Sequence, residues 1–259
     1  MRREGGPKVA KQKGRSSVER ETGRPPVVIL CGGRGTRLRE HTQEIPKPLV
    51  EIGGLPIVWH VIQLYAVQGF ERFLLATGYK GDLIERFAHD TQWPNGVGVE
   101  CVDTGLDTPT GGRIKLLEAR LAGESFCATY SDGVARVDLA KLLAFHNAHG
   151  ALATMTVVRP ELQFGVTELD PRDGRVLGFR EKPRSEHWIN GGFFCFEPGV
   201  LDYLERDSVL ERDPLERLAA SDELRALRHE DFWECMDTYK DAVALNDLWE
   251  SGQAPWRMW

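Results

Sequence analysis

Gly32-Gly33-Arg34-Gly35-Thr36-Arg37-Leu38 follows directly on the apolar run Val27-Val28-Ile29-Leu30-Cys31. Glycines in such a loop let the backbone come close to a ligand and turn its N–H groups inward, which makes a cradle for phosphates. Arg37 adds a planar fork of donors matched to phosphate oxygens. Further on, Ile45-Pro46-Lys47-Pro48-Leu49 predicts an extended segment, with prolines on both sides of Lys47 and its ammonium aimed back at the same phosphates. Two other nucleotide loops do not fit. A P-loop closes on Gly-Lys-Ser/Thr, which Thr36-Arg37-Leu38 does not supply. The dinucleotide fingerprint would need glycine at Leu38 and an acidic residue after the second strand, where Ala76-Thr77-Gly78 stands.

Carboxylates form the second set. Tyr130-Ser131-Asp132-Gly133 ends an apolar run, and the carboxyl end of a buried parallel strand is where α/β sheets bind ligands. Asp132 there could hold Mg²⁺, which takes one or two carboxylates together with substrate phosphates; it reads equally as a turn or capping aspartate. Asp237, in Met236-Asp237-Thr238, offers a second carboxylate, and taken alone it reads as the N-cap of the last helix. Glu181-Lys182-Pro183 offers another phosphate-directed cation or an exposed lysine before a turn. Asn190-Gly191-Gly192 offers an amide and close backbone to a sugar, or a β-turn. His146 and His149 have metal-ligand spacing on a helix, where a solvated face is the simpler reading.

These residues need a sheet to hold them. Val27–Cys31, Phe73–Thr77, Val97–Val102, Phe126–Tyr130 and Ala153–Val158 predict strands. They alternate with helices predicted over Pro56–Tyr65, Lys80–Ala88, Arg113–Leu121 and Leu139–His149. That alternation implies an α/β fold with a mostly parallel central sheet flanked by helices. After Pro160 the rhythm shortens to extended segments at Phe164–Leu169, Arg175–Glu181 and Gly192–Phe196, a small β-rich part. Helices near Val200–Leu204, Leu215–Ala220 and Lys240–Trp249 close the chain. The division expected is a nucleotide-binding half over 26–158 and a sugar-binding half over 159–259, within one domain.

The 259 residues are 41% hydrophobic with net charge −6. Residues 1–26 carry a net +5 and almost no bulky apolar residue, which predicts a disordered basic tail over 1–25. The remaining acidic body argues against a nucleic-acid-binding domain. The apolar runs are too short for a bilayer and no signal-peptide pattern opens the chain. Five scattered cysteines with no Cys-x-x-Cys pair predict buried thiols in a reducing cytoplasm. The seven tryptophans are expected mostly in the core.

Taken with Val50-Glu51-Ile52-Gly53-Gly54, Gly78-Tyr79-Lys80-Gly81, Thr110-Gly111-Gly112-Arg113 and Phe145-His146-Asn147-Ala148-His149-Gly150, these motifs resemble the sugar-1-phosphate nucleotidylyltransferase family from Val27 to the C-terminus. Val102-Asp103-Thr104-Gly105 and Ala254-Pro255-Trp256 point to its glucose-1-phosphate cytidylyltransferase branch. The resemblance implies the Rossmann-like nucleotide-diphospho-sugar transferase fold and a homo-oligomer. It also implies that a nucleoside triphosphate, CTP in that branch, and a sugar 1-phosphate become a nucleotide-sugar and pyrophosphate. Leu30, Gly32, Gly33, Gly35 and Thr36, with Gly111 and Gly112 near the base, would bind nucleotide. Arg37 and Lys47 would act on the triphosphate and Lys182 on the sugar phosphate. Tyr130, Gly165, Glu181 and Asn190 would line the sugar pocket, and Asp132 and Asp237 would share Mg²⁺. Guanylyl or thymidylyl transfer to another hexose, heptose or octose 1-phosphate is the alternative within the class. A non-catalytic nucleotide-sugar-binding regulator is the alternative outside it. Three features depart from the family pattern: residues 1–25 have no counterpart, the Ala88–Cys101 stretch is short, and Ser131 stands where a glycine is expected.

Overall fold

The computed structural model describes residues 23–35 and 44–259. The predicted tail therefore falls almost wholly outside the described residues, as do Thr36, Arg37 and Leu38. Thirteen strands are described: β1 (Val27–Leu30), β2 (Glu51–Ile52), β3 (Leu55–Pro56), β4 (Arg72–Thr77), β5 (Gly98–Asp103), β6 (Phe126–Tyr130), β7 (Gly133–Ala135), β8 (Ala153–Val158), β9 (Val166–Leu169), β10 (Val176–Arg180), β11 (Ile189–Phe196), β12 (Leu224–Arg228) and β13 (Trp233–Cys235). The α-helices are α1 (Ile57–Ala66), α2 (Gly81–Asp90), α3 (Thr110–Leu116), α4 (Glu118–Leu121), α5 (Leu139–His149), α6 (Asp213–Ala220) and α7 (Tyr239–Glu250).

Seven strands form one sheet in the order β12-β8-β11-β6-β1-β4-β5. All run parallel except β11, which lies antiparallel between β6 and β8. Both faces are covered, which explains why β1 is apolar at every position. Val27 and Ile29 point to one face, where they pack with α1, α2 and α5 through Val58, Val61, Ile84 and Leu142. Val28 and Leu30 point to the other, against Ile114, Leu117, Leu121 and Leu218. Each such side chain taken fully out of water contributes about 1.5–3 kcal/mol. A third apolar cluster, around Ile52, Val134, Met236, Leu245 and Trp256, seats α7 and the C-terminal segment under the β7–β13 ladder.

Phe126–Tyr130, Leu139–His149 and Ala153–Val158 match their predicted bounds. The helix predicted over Arg113–Leu121 instead begins at Thr110, after Pro109, and breaks at Leu117 (φ −89°, ψ 0°). His146 is buried rather than solvated. Ala151 N donates to His149 Nδ1 at 2.9 Å, so His149 Nε2 donates to Thr154 Oγ1 (2.7 Å) and that hydroxyl donates to His146 Nδ1 (2.8 Å). The pair is spent on strand β8 and forms no metal site.

Candidate functional site

The parallel register sets the loops after β1 and β6 side by side at the carboxyl edge of the sheet. The chain leaves β1 towards β4 on one side and returns to β6 on the other, the switch point where open α/β sheets form a ligand crevice. Antiparallel β11 starts at this edge, so Asn190 and Gly191 lie beside the end of β6.

Asp132 follows β6 directly. Its neighbour β7 pairs with β13, with Gly133 opposite Cys235, and Met236 N donates to Asp132 O at 2.9 Å. This ladder brings Asp237 beside Asp132 although the two are remote in sequence. Asp237 is not the helix cap. Thr238 caps α7, in a reciprocal box with Asp241, whose carboxylate also accepts from Asp237 N at 3.0 Å. The Asp237 carboxylate is thereby released to face the crevice.

Lys47 lies between the two acids. Its ammonium donates to Asp132 Oδ2 and, at 2.9 Å, to Asp237 Oδ1. The expected extended segment is half realised: Pro46 is extended (φ −71°, ψ 151°), but Lys47–Leu49 is a 3-10 turn anchored by buried Pro48. Burial works against the ammonium, but the Asp132 charge and the hydrogen bonds to both carboxylates outweigh it and lift the Lys47 pKa. Cys235 completes the cluster, its Sγ and one oxygen of each aspartate all lying within 4.8 Å of one another. Burial, then the charges of Asp132 and Asp237, push the thiol pKa well up. Two carboxylates already gathered around a cation have the donor chemistry Mg²⁺ takes, with phosphate oxygens left to fill the remaining positions.

A cavity of about 200 Å³ opens beside these acids, lined among others by Tyr130, Asp132, Asn190, Gly192, Cys235 and Asp237. Gly192 (φ +79°) lets the Tyr130 ring pass where a Cβ would stand 2.6 Å from it. Gly165, Glu181 and Lys182 are not among the cavity's lining residues. They sit together on the β9–β10 arm, where a Cβ on Gly165 would stand 2.4 Å from the Phe179 ring and 3.0 Å from a Glu181 carboxylate oxygen. Lys182 is exposed and holds a left-handed backbone (φ +43°). A larger cavity of about 350 Å³, between Glu205 and Arg217, is lined by none of the predicted residues.

In the glycine loop, Gly33 has open space around it and Gly35 has φ +61°. Gly32 is tied down: its carbonyl accepts from Tyr79 N (3.2 Å) and from the guanidinium of Arg113 (3.0 Å). A Cβ at Gly32 would fall 2.0 Å from that guanidinium. Gly111 and Gly112 are buried against the carbonyls of Ser208 and Arg206, so chain packing accounts for their lack of side chains. Arg113, Cys235 and Glu211 had no role in the sequence reading. The spacing of two between Cys235 and Asp237, which puts both on one face of an extended segment, was the available signal for the thiol.

A family model for nucleotidyl transferase matches residues 26–252. The glucose-1-phosphate cytidylyltransferase of Salmonella typhimurium (strain LT2) is 44% identical over 255 residues, covering 90% of this chain and 98% of that protein. The protein of the same name from Salmonella typhi is 43% identical with the same coverage. Among solved structures, HddC from Yersinia pseudotuberculosis shares the fold with a TM-score of 0.69 at 23% identity, over 87% of this chain and 100% of that one. A doubly covered, mostly parallel sheet with a glycine loop and an acid pair at its carboxyl edge defines a nucleotide-handling α/β transferase. The chain belongs to the nucleotidyl transferase family, and it is an enzyme of that class.

Proposed function

We propose that the protein transfers a cytidylyl group from CTP to glucose 1-phosphate, forming CDP-glucose and pyrophosphate. The observation that carries this reading is the Lys47 ammonium held between Asp132 and Asp237 at the crevice of a chain 44% identical to a glucose-1-phosphate cytidylyltransferase. Residues 26–158 supply the nucleotide half and residues 159–259 the sugar half. Leu30, Gly32, Gly33, Gly35 and Thr36 wrap the nucleotide, with Gly111 and Gly112 behind its base. Tyr130, Gly165, Glu181 and Asn190 hold the sugar. Asp132 and Asp237 would hold Mg²⁺, which when bound neutralises phosphate charge between the two anionic substrates.

A non-bridging oxygen of the sugar phosphate attacks the α-phosphorus. The bond from that phosphorus to the bridging oxygen breaks, and pyrophosphate leaves with the electron pair. No protein nucleophile takes part. Lys182 aligns the attacking phosphate, while Arg37 and Lys47 take up charge on the triphosphate as it departs, so the chain contributes position and electrostatics. The five cysteines, all free, support the reducing cytoplasm as its compartment.

Pyrophosphate release with Mg²⁺, each nucleoside triphosphate being paired with a panel of sugar 1-phosphates, tests the reading. CTP with glucose 1-phosphate is expected to be the fastest pair. A different best pair replaces the specificity and keeps the class of reaction, whereas no release with any pair removes the reading.

A further inference from the structure

A chain of hydrogen bonds runs from the sugar cavity to the first residue of α3. Asn190 Nδ2 donates to the Tyr130 hydroxyl at 3.1 Å, and that hydroxyl donates to Glu211 Oε1 at 2.5 Å. The other oxygen of the same carboxylate, Oε2, accepts from Thr110 Oγ1 at 2.7 Å, and Thr110 Oγ1 accepts from Leu210 N at 3.0 Å. Every direction is fixed by the chemistry of the groups. An ionised carboxylate only accepts, so both hydroxyls must donate to it, and each hydroxyl then accepts from the nitrogen behind it. Asn190 Oδ1 accepts from Gly192 N at 2.9 Å, which fixes which way the amide faces.

The loop that carries Glu211 is also fastened to α3. Gly112 N donates to Ser208 O at 3.0 Å, and a Cβ on Gly112 would meet Arg206 O at 2.0 Å. One short segment therefore touches the residues in front of Arg113 at one end and, through a single carboxylate, the sugar cavity at the other. Nothing in the transfer chemistry uses Glu211, and its side chain lies outside the lining of the acid-pair cavity.

We propose that Glu211 is a positioning residue through which the sugar cavity and the nucleotide site act on each other. This rests on the substrate reading given above. A ligand that engages Asn190 orders Tyr130, Glu211 and Thr110 in turn, and so prepares the start of α3 for nucleotide. Linkage makes the effect reciprocal, so nucleotide must tighten sugar phosphate binding by the same factor.

The test is calorimetric titration of the full chain with glucose 1-phosphate in Mg²⁺, with and without α,β-methylene-CTP, which cannot be cleaved at the reacting bond. In the wild type the nucleotide is expected to tighten sugar phosphate binding about fivefold or more. In Glu211→Ala and in Thr110→Val that factor is expected to fall close to one, with melting temperatures near that of the wild type. Thr110→Val is the sharper variant, because Thr110 lies outside the cavity lining. Glu211→Gln can keep both links by reversing one of them, and it is expected to retain the coupling. Undiminished coupling in both Ala and Val variants overturns the role of Glu211 and leaves the transferase reading intact, as does a wild type that binds both ligands without coupling. A wild type that binds neither ligand removes the substrate reading and this inference with it.

Discussion

Lys47 Nζ stands 2.9 Å from Asp237 Oδ1 across 190 positions of chain. The contact exists because a tight turn, a short ladder and a helix cap each do one thing. The Lys47–Leu49 turn delivers the ammonium, β7–β13 delivers the aspartate, and Thr238 takes the capping duty that would otherwise occupy Asp237. Asp132→Ala and Asp237→Ala are each expected to lower kcat at least about a hundredfold, the scale on which a preorganised charge acts on a transition state. The fold should persist, because Lys47 keeps one acid partner in each variant. Pyrophosphate release and a thermal melt on the same sample check this; near-normal turnover in either variant would show that the acids are not at the reacting centre.

Lys182 separates backbone strain from charge. A non-glycine residue in the left-handed region costs about 1–2 kcal/mol, and Lys182 sits there at φ +43° on an exposed corner of the β9–β10 arm. Strain of that kind persists only where the surrounding structure over-determines it, and it clusters at functional sites. Lys182→Ala keeps the strained backbone and loses the ammonium, whereas Lys182→Gly loses both. Turnover should collapse in the two alike, while the glycine variant melts at the higher temperature. Equal melting temperatures would mean that the backbone is not strained at this corner, and activity surviving in either would remove Lys182 from the site.

How much of this was legible beforehand depended on the range of the interactions. β1, β6, β8 and α5 could be read because continuous or periodic burial is written into adjacent residues. β7 and β13 could not, since three-residue strands exist only through each other, and Gly133 and Cys235 are far apart in the chain. The same distance hid Cys235 from the acid pair and Glu211 from Tyr130. Arg113 was visible as a letter in a motif, but its function as a buried hub depends on carbonyls from the end of β4 and from the loops after β1 and β5. The start of α3 at Thr110 was readable in principle from Pro109; the three intervening residues, with two glycines among them, masked it.

His60 gives a pH prediction with a definite sign. It is fully buried among Trp59, Trp249, Trp256 and Trp259, and its Nδ1 accepts from Trp256 Nε1 at 3.4 Å. Its Nε2 therefore carries the hydrogen and donates to Ile52 O at 2.8 Å. Burial lowers the His60 pKa to about 4, from the 6.5 of a free side chain. The unfolded chain binds the proton first as pH falls, so stability drops from about pH 6.5 down to about pH 4 and is flat above. The loss attributable to this one group is up to about 3 kcal/mol, from about 1.4 kcal/mol per unit of displacement. Urea melts of wild type and His60→Gln across that window isolate the term, because other acid-sensitive groups are common to both. A stability gap that stays constant with pH would show that His60 is not held neutral.

Arg113 should prove the costliest single loss among the residues around the glycine loop. Its NH1 donates to Thr77 O (2.8 Å), Thr104 Oγ1 (2.6 Å) and Gly105 O (2.9 Å), and its NH2 donates to Gly32 O (3.0 Å). Burial lowers its pKa. Gly32 O also accepts from Tyr79 N, and Thr77 O from Thr104 N and Oγ1, so the guanidinium matters most to Gly105 O. Arg113→Ala takes that donor from Gly105 O, at about 1–3 kcal/mol for a buried acceptor left unpaired, which predicts a loss of about that size in chemical denaturation. Arg113→Lys, with a point charge in place of a fork, cannot reach all four acceptors and should fall between the two. Gly32→Ala attacks the same joint from the other side, because its Cβ would occupy the position of the guanidinium. The double variant Gly32→Ala/Arg113→Ala should therefore lose less than the sum of the single losses, the mark of two residues sharing one contact. Strict additivity in that cycle would show that the loop and the guanidinium are not coupled.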